Sequence, residues 1–248
     1  MTKTILITGA TAGFGRAAAQ RFGKAGWRVI GTGRRGDRLR ALADELGATF
    51  LPLEIDMRDI AALDSLAQLQ PPWGEIDILL NNAGLAPPMA GLPDTEWERI
   101  DEVIETNISG LVALTRALLP KLVERKGTII NLGSVAGTYP YKGGAVYAGT
   151  KAFVHQFSLD LRSDLHGTGV RVTCIEPGMA ETEFTIVRTG GDKEASDNLY
   201  AGVNPMTADD IAETIWWIAN LPPHLNINAI ELMPVNQSFA GFVVHREG

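Results

Sequence analysis

Thr4-Ile5-Leu6-Ile7-Thr8-Gly9-Ala10-Thr11-Ala12-Gly13-Phe14-Gly15 is the stretch on which the fold turns. Residues 4–8 are apolar and β-branched, the composition of a short buried strand. Three glycines follow, and residues 16–26 then carry Ala17, Ala18, Phe22 and Ala25 at helical spacing. The segment is therefore predicted to be a strand, a tight turn and a helix. Outward from it the pattern repeats. Residues 28–32 read as a second strand, 37–46 as a helix and 49–53 as a third strand, which completes a first βαβαβ half by Asp56. A helix near 60–69, the break Pro71-Pro72-Trp73-Gly74 and a fourth strand over 76–80 come next. Helical stretches over 94–125 and 145–166 precede strands at 128–132 and 170–175. Residues 207–221 form a last helix with Thr207 as N-cap, and 227–233 close the sheet. Alternating strands and helices imply parallel pairing through right-handed crossovers. The expected architecture is α/β, a doubly wound seven-stranded parallel sheet with helices on both faces, formed by one domain over residues 1–248.

Residues 179–205 differ. They are rich in Gly, Asp, Thr and Ser with weak periodicity, and are expected to form a mobile lid. The tail from about 234 to 248 carries Phe239, Phe242, Val243 and Val244, which a partner subunit would cover. The 248 residues are 45% hydrophobic and carry a formal charge of −7. Cations occur only in pairs such as Arg34-Arg35, so there is no basic stripe for nucleic acid. No apolar run reaches the roughly 18 residues that span a bilayer. Met1 leads directly into a strand without a secretory pattern, and Cys174 is the single cysteine, set in a buried strand. A cytoplasmic enzyme that binds neither membrane nor nucleic acid is expected, and no metal site is read.

Side chains at a strand-to-helix turn would hold an anion away from the backbone N–H groups. Gly9, Gly13 and Gly15, with Thr11 and Phe14 between them, remove that obstacle, and the turn suits a dinucleotide pyrophosphate at a helix N-terminus. This is the phosphate turn of a Rossmann fold. Where an NAD site would carry an acid at the end of the second strand, the chain runs Thr32-Gly33-Arg34-Arg35. Guanidinium attracts a 2′-phosphate that a carboxylate would repel, so NADP(H) is the expected cofactor.

Tyr147 and Lys151, four residues apart, fall on one helix face, and Ser134 stands at the exit of the strand over 128–132. A free phenol titrates near 10, so work near neutral pH needs a neighbouring cation, which Lys151 offers. Ser134 would hydrogen-bond the substrate oxygen while Tyr147 moves its proton. All three lie at C-terminal strand edges, where α/β sheets bind ligands.

Thr8-Gly9-x3-Gly13-x-Gly15, Asn81-Asn82-Ala83-Gly84, Asn107, Ser134 and Tyr147-x3-Lys151 together resemble the short-chain dehydrogenase/reductase family over essentially the whole chain. The resemblance implies that Asn107 holds a water behind Lys151 in a proton relay. It implies that Lys151 grips the nicotinamide ribose, Asp56 and Met57 flank the adenine, and Asn82 lines the cofactor path. Pro177 and Gly178 would contact the nicotinamide side.

Gly33-Arg34-Arg35, residues 147–158 and 164–167, Ile175-Glu176-Pro177-Gly178 and the tail are similar to NADP-dependent 3-hydroxy acid dehydrogenases, a branch that also resembles sulfoacetaldehyde reductases. Both imply a small anionic hydroxy acid or aldehyde substrate. Arg188 is nominated as its anchor and Tyr141 as a wall of the pocket. The family's habit implies a homotetramer. A non-catalytic NADP sensor is the rival from another class, disfavoured because Ser134, Tyr147 and Lys151 are all present. A 3-oxoacyl carrier-protein reductase would need a basic rim that this acidic chain lacks.

Overall fold

A computed structural model describes residues 2–239. Its strands are β1 (Thr4–Ile7), β2 (Arg28–Gly33), β3 (Phe50–Glu54), β4 (Ile78–Asn81), β5 (Thr128–Leu132), β6 (Arg171–Pro177) and β7 (Ala229–Leu232). All seven pair in parallel in the order β3-β2-β1-β4-β5-β6-β7, as the alternation predicted. The helices are α1 (Gly13–Lys24), α2 (Gly36–Leu46), α3 (Ile60–Ser65), α4 (Trp97–Ile104), α5 (Leu111–Arg125), α6 (Ala145–Asp164), α7 (Glu183–Arg188), α8 (Lys193–Tyr200) and α9 (Ala208–Ala219).

Strand periodicity sorts the core into two layers. Ile5, Ile7, Ile78, Leu80 and Ile130 share one layer with Phe22, Ile211 and Ile215 of α1 and α9. Leu6, Leu79, Ile129 and Val172 share the other with Leu114, Leu118 and Leu161 of α5 and α6. Both faces of the central strands are thus covered, which is why β1 and β5 read as apolar runs and not as alternating ones. The strand order reverses direction between the neighbours β1 and β4, so the loops after them part and open a crevice at the C-terminal edge.

Three expectations are corrected or refined. Residues 94–125 do not form one regular helix: a π-helical turn, Glu105–Gly110, joins α4 to α5. The wide turn carries Asn107, and such turns recur at functional sites. Residues 179–205, where weak periodicity gave no regular element, contain α7 and α8, capped by Thr182 and Asp192, whose oxygens accept from the N–H of Phe184 and Ala195. These helices are too short to impose a readable period. β4 and β6 also run further than expected, to Asn81 and Pro177.

Ala180 bridges Met206, and the Met179 N–H donates to Gln237 Oε1 at 2.7 Å, so the lid base is stitched to the start of the tail. Phe239 stacks on Tyr139 at 4.7 Å between ring centroids. Phe242, Val243 and Val244 lie outside the described residues. Among the described residues no helix is long and apolar enough to cross a membrane.

Candidate active site

A cleft of about 900 Å³ runs along the C-terminal strand edge, from the loop after β2, past β1 and β4, to the loops after β5 and β6. At its centre Gly9 sits at φ 70°, and a Cβ there would lie 3.0 Å from Asn82 Nδ2. A Cβ on Gly15 would collide with the Gly9 carbonyl and lie 2.5 Å from Asn82 Nδ2. The first turn of α1 can approach β4 this closely only with glycine at both positions. No side chain caps α1, whose N-cap is Ala12, so its first N–H groups face the cleft without a side-chain partner. Thr8 Oγ1 accepts from the N–H of Asn82 and Ala83, and Asn82 Nδ2 donates to Thr8 O at 2.8 Å. The turn after β1 and the turn after β4 are thereby locked together. Thr11, Gly13 and Phe14 line the cleft; Gly15 lies behind it.

At one end, Arg34 Nη1 pairs with Glu102 at 2.9 Å. Arg35 donates twice to Thr11 Oγ1, at 3.1 and 2.8 Å, and pairs with Glu183 at 3.1 Å. Arg38, on the first turn of α2, reaches the same Glu183 oxygen at 2.6 Å. Arg38 and Glu183 had not been foreseen. Asp56 and Met57 line the same end; the hydrogen bond from Arg58 holds the Asp56 carboxyl below its usual range.

At the other end Ser134, Tyr147 and Lys151 meet. Ser134 leaves β5 extended, accepts from the Ala136 N–H at 3.1 Å and lies 3.4 Å from Pro177 O. Tyr147 and Lys151 lie one turn apart on α6, with Lys151 Nζ 5.7 Å from the centroid of the tyrosine ring. Lys151 is buried and donates to Leu132 O at 2.6 Å; burial brings its ammonium down to about 8. Burial pushes the Tyr147 phenol up to about 12; Ser134 hydrogen-bonding lowers it, Tyr141 raises it and Arg188 lowers it. Arg188 thus adds a second cation beside this ring, where the sequence pointed to Lys151 alone. Asn107 lies behind the cleft wall. Its side chain clasps Leu85 through both backbone groups at 2.8 Å and donates to Thr150 Oγ1 at 3.0 Å.

Arg188, at the end of α7, comes down on this cluster. Its Nη2 donates to Tyr141 Oη at 3.0 Å, and its guanidinium carbon stands 5.4 and 5.7 Å from the Tyr141 and Tyr147 ring centroids. Its Nε is buried with no hydrogen-bond partner. An unpaired buried N–H on a guanidinium is costly to the fold. Pro177 and Gly178 complete this wall.

Among the described residues, His155, Cys174 and Glu176 offer ligand atoms within 4.8 Å of one another. His155 Nδ1 already meets Glu176 Oε1 at 2.7 Å, and burial pushes the Cys174 thiol up to about 11. A thiolate, the form that binds metal, is disfavoured there.

Residues 3–191 match the family described as short chain dehydrogenase. Serine 3-dehydrogenase of Rhizobium radiobacter is 63% identical over 248 residues, covering 100% of both chains. NADP-dependent 3-hydroxy acid dehydrogenase YdfG of Escherichia coli K12 is 52% identical over 246 residues, 98% of this chain and 99% of that one. A solved structure, the closed form of serine dehydrogenase complexed with NADP+, superposes with a TM-score of 0.96 at 51% identity, covering 98% of this chain and 100% of that one.

Proposed function

The chain belongs to the short-chain dehydrogenase family, and from that premise we propose that it interconverts small 3-hydroxy acids, of the serine and 3-hydroxypropionate type, with their semialdehyde or keto forms, with Tyr147 as the acid/base. At the coarser level it is an NADP(H)-dependent oxidoreductase acting on the CH–OH group of hydroxy acids. The full-length relatives named serine 3-dehydrogenase and NADP-dependent 3-hydroxy acid dehydrogenase support the cofactor and the hydroxy acid substrate.

The residues fit the cofactor. The tight turn that only glycine allows at Gly9 and Gly15 and the uncapped start of α1 suit a pyrophosphate. Arg34, Arg35 and Arg38 suit a 2′-phosphate. Asp56, Met57, Asn82, Pro177 and Gly178 would line its path, with Lys151 at the nicotinamide ribose. When bound, NADP(H) gives or takes a hydride.

The protein's own part is anion capture and proton movement. Arg188, whose buried Nε lacks a partner beside the Tyr147 ring, carries the substrate reading: it would grip the carboxylate and so set the reacting carbon against Ser134 and Tyr147. Ser134 would hydrogen-bond the carbonyl oxygen as Tyr147 delivers its proton there. Lys151, titrating near 8, stands where it can restore that proton, with Asn107 holding the water behind it. Residues 179–205 would act as a lid, and the tail would bury its apolar side chains in a cytoplasmic homotetramer.

The test is NADPH consumption with malonic semialdehyde beside sulfoacetaldehyde, and NADP+ reduction with L-serine. Preference for the carboxylates is expected. Preference for sulfoacetaldehyde would instead make the chain a sulfoacetaldehyde reductase, and turnover of none would remove Arg188 as an anion anchor. Arg34→Ala combined with Arg35→Ala should raise the KM for NADPH by about 10- to 50-fold, the scale of two partly exposed charge-assisted contacts, and change that for NADH little. Equal changes for both cofactors would remove the 2′-phosphate assignment.

A further inference from the structure

We propose that Glu183 is a specificity-setting latch: it ties α7 of the lid to the guanidinium groups a 2′-phosphate would take, so that NADPH, but not NADH, must displace it. The proposal rests on the cofactor reading above. One carboxylate oxygen, Glu183 Oε2, accepts from Arg38 Nη1 at 2.6 Å and from Arg35 Nη1 at 3.1 Å. Arg35 in turn grips Thr11 in the glycine turn. A continuous charge-assisted chain therefore links α7 to α2 and to the phosphate turn. Thr182, which caps α7, packs 3.5 Å from where a Gly13 Cβ would stand, so the same end of the lid lies over the turn. Burial pushes the Glu183 carboxyl up, but hydrogen bonds from Arg38 and Arg35 outweigh it and keep the group ionised at neutral pH.

Guanidinium matches carboxylate and phosphate with the same N–H fork, and one N–H cannot serve both fully. Both pairs are roughly 40% exposed, where ion pairs are weak and screened. A phosphate with more charge and more acceptor oxygens would win them, releasing α7 from α2. A cofactor ending in a 2′-hydroxyl brings no such competitor. Glu183 thus subtracts from NADPH affinity and gives the lid a contact that depends on which cofactor is bound.

The experiment is titration of wild type, Glu183→Gln and Arg38→Gln with NADPH and with NADH, followed by intrinsic fluorescence, with thermal melts to verify folding. Glu183→Gln should tighten NADPH by about three- to tenfold and leave NADH within about twofold. Arg38→Gln should weaken NADPH by about tenfold and leave NADH alone. Weaker NADPH binding in Glu183→Gln, or equal shifts for both cofactors, would overturn the latch. Wild type without a preference for NADPH would overturn the cofactor reading itself, and the latch with it.

Discussion

Tyr147→Phe should lower turnover by about 10³- to 10⁴-fold in either direction, the scale of losing a positioned general acid, while the Kd for NADPH stays within about twofold. The two readouts separate because the phosphate turn, held by Thr8 and Asn82, shares no hydrogen bond with Tyr147. Retained turnover would sink the proton-transfer role, and lost cofactor binding would mean that the ring is structural. The wild-type pH profile carries the same argument. With the phenol near 12, Tyr147 keeps its proton at neutral pH and is ready to give it up in carbonyl reduction. Alcohol oxidation needs the phenolate, so its rate should climb as pH rises from 7 towards 10. Reduction draws on the Lys151 ammonium; because that group titrates near 8, reduction should fall as pH passes through that value. Profiles of the same slope in both directions would contradict the assignment.

Most of the sheet was legible because its strands are buried on both faces and so announce themselves as apolar runs between glycine-rich turns. The cofactor turn and the Ser134, Tyr147, Lys151 set were legible for a related reason: each lies at the end of such a strand or at a fixed step along one helix. Arg38 could have been found, since it stands three residues beyond Arg35, the N-cap of α2, and the two reach one carboxylate. Glu183 could not. Its role arises from the packing of α7 over α2, across 145 residues of sequence. The π-turn around Asn107 was equally hidden, because it shifts the phase of the apolar pattern between α4 and α5 without a proline or a loop to mark the place. Lys151 was read as the neighbour that tunes Tyr147 because spacing places it one turn away. That spacing does bring Nζ to 5.7 Å from the centroid of the tyrosine ring; its hydrogen bond to the Leu132 carbonyl was not readable from it.

Arg188→Gln should raise the KM for a semialdehyde acid by about 100- to 1,000-fold, some 3–4 kcal/mol for a charge-assisted anion contact in a partly desolvated site. The turnover number should fall much less, and NADPH binding should hold. A neutral aldehyde of similar length separates this role from a structural one, because it brings no carboxylate and should lose little on the same substitution. Equal losses for acid and neutral aldehyde would mean that Arg188 only shapes the wall or tunes the Tyr147 phenol. Arg188→Lys keeps the charge but loses the planar fork that spans the Tyr141 hydroxyl and the cleft, so it should fall between wild type and Gln. Stability should move the other way. The Arg188 Nε is buried without a partner, which costs the folded chain about 1–3 kcal/mol. Arg188→Met, which covers the Tyr141 and Tyr147 rings without burying a donor, should therefore melt no lower than wild type while losing affinity for the acid. A group kept at a cost to the fold and lost at a cost to binding is what an anion anchor requires.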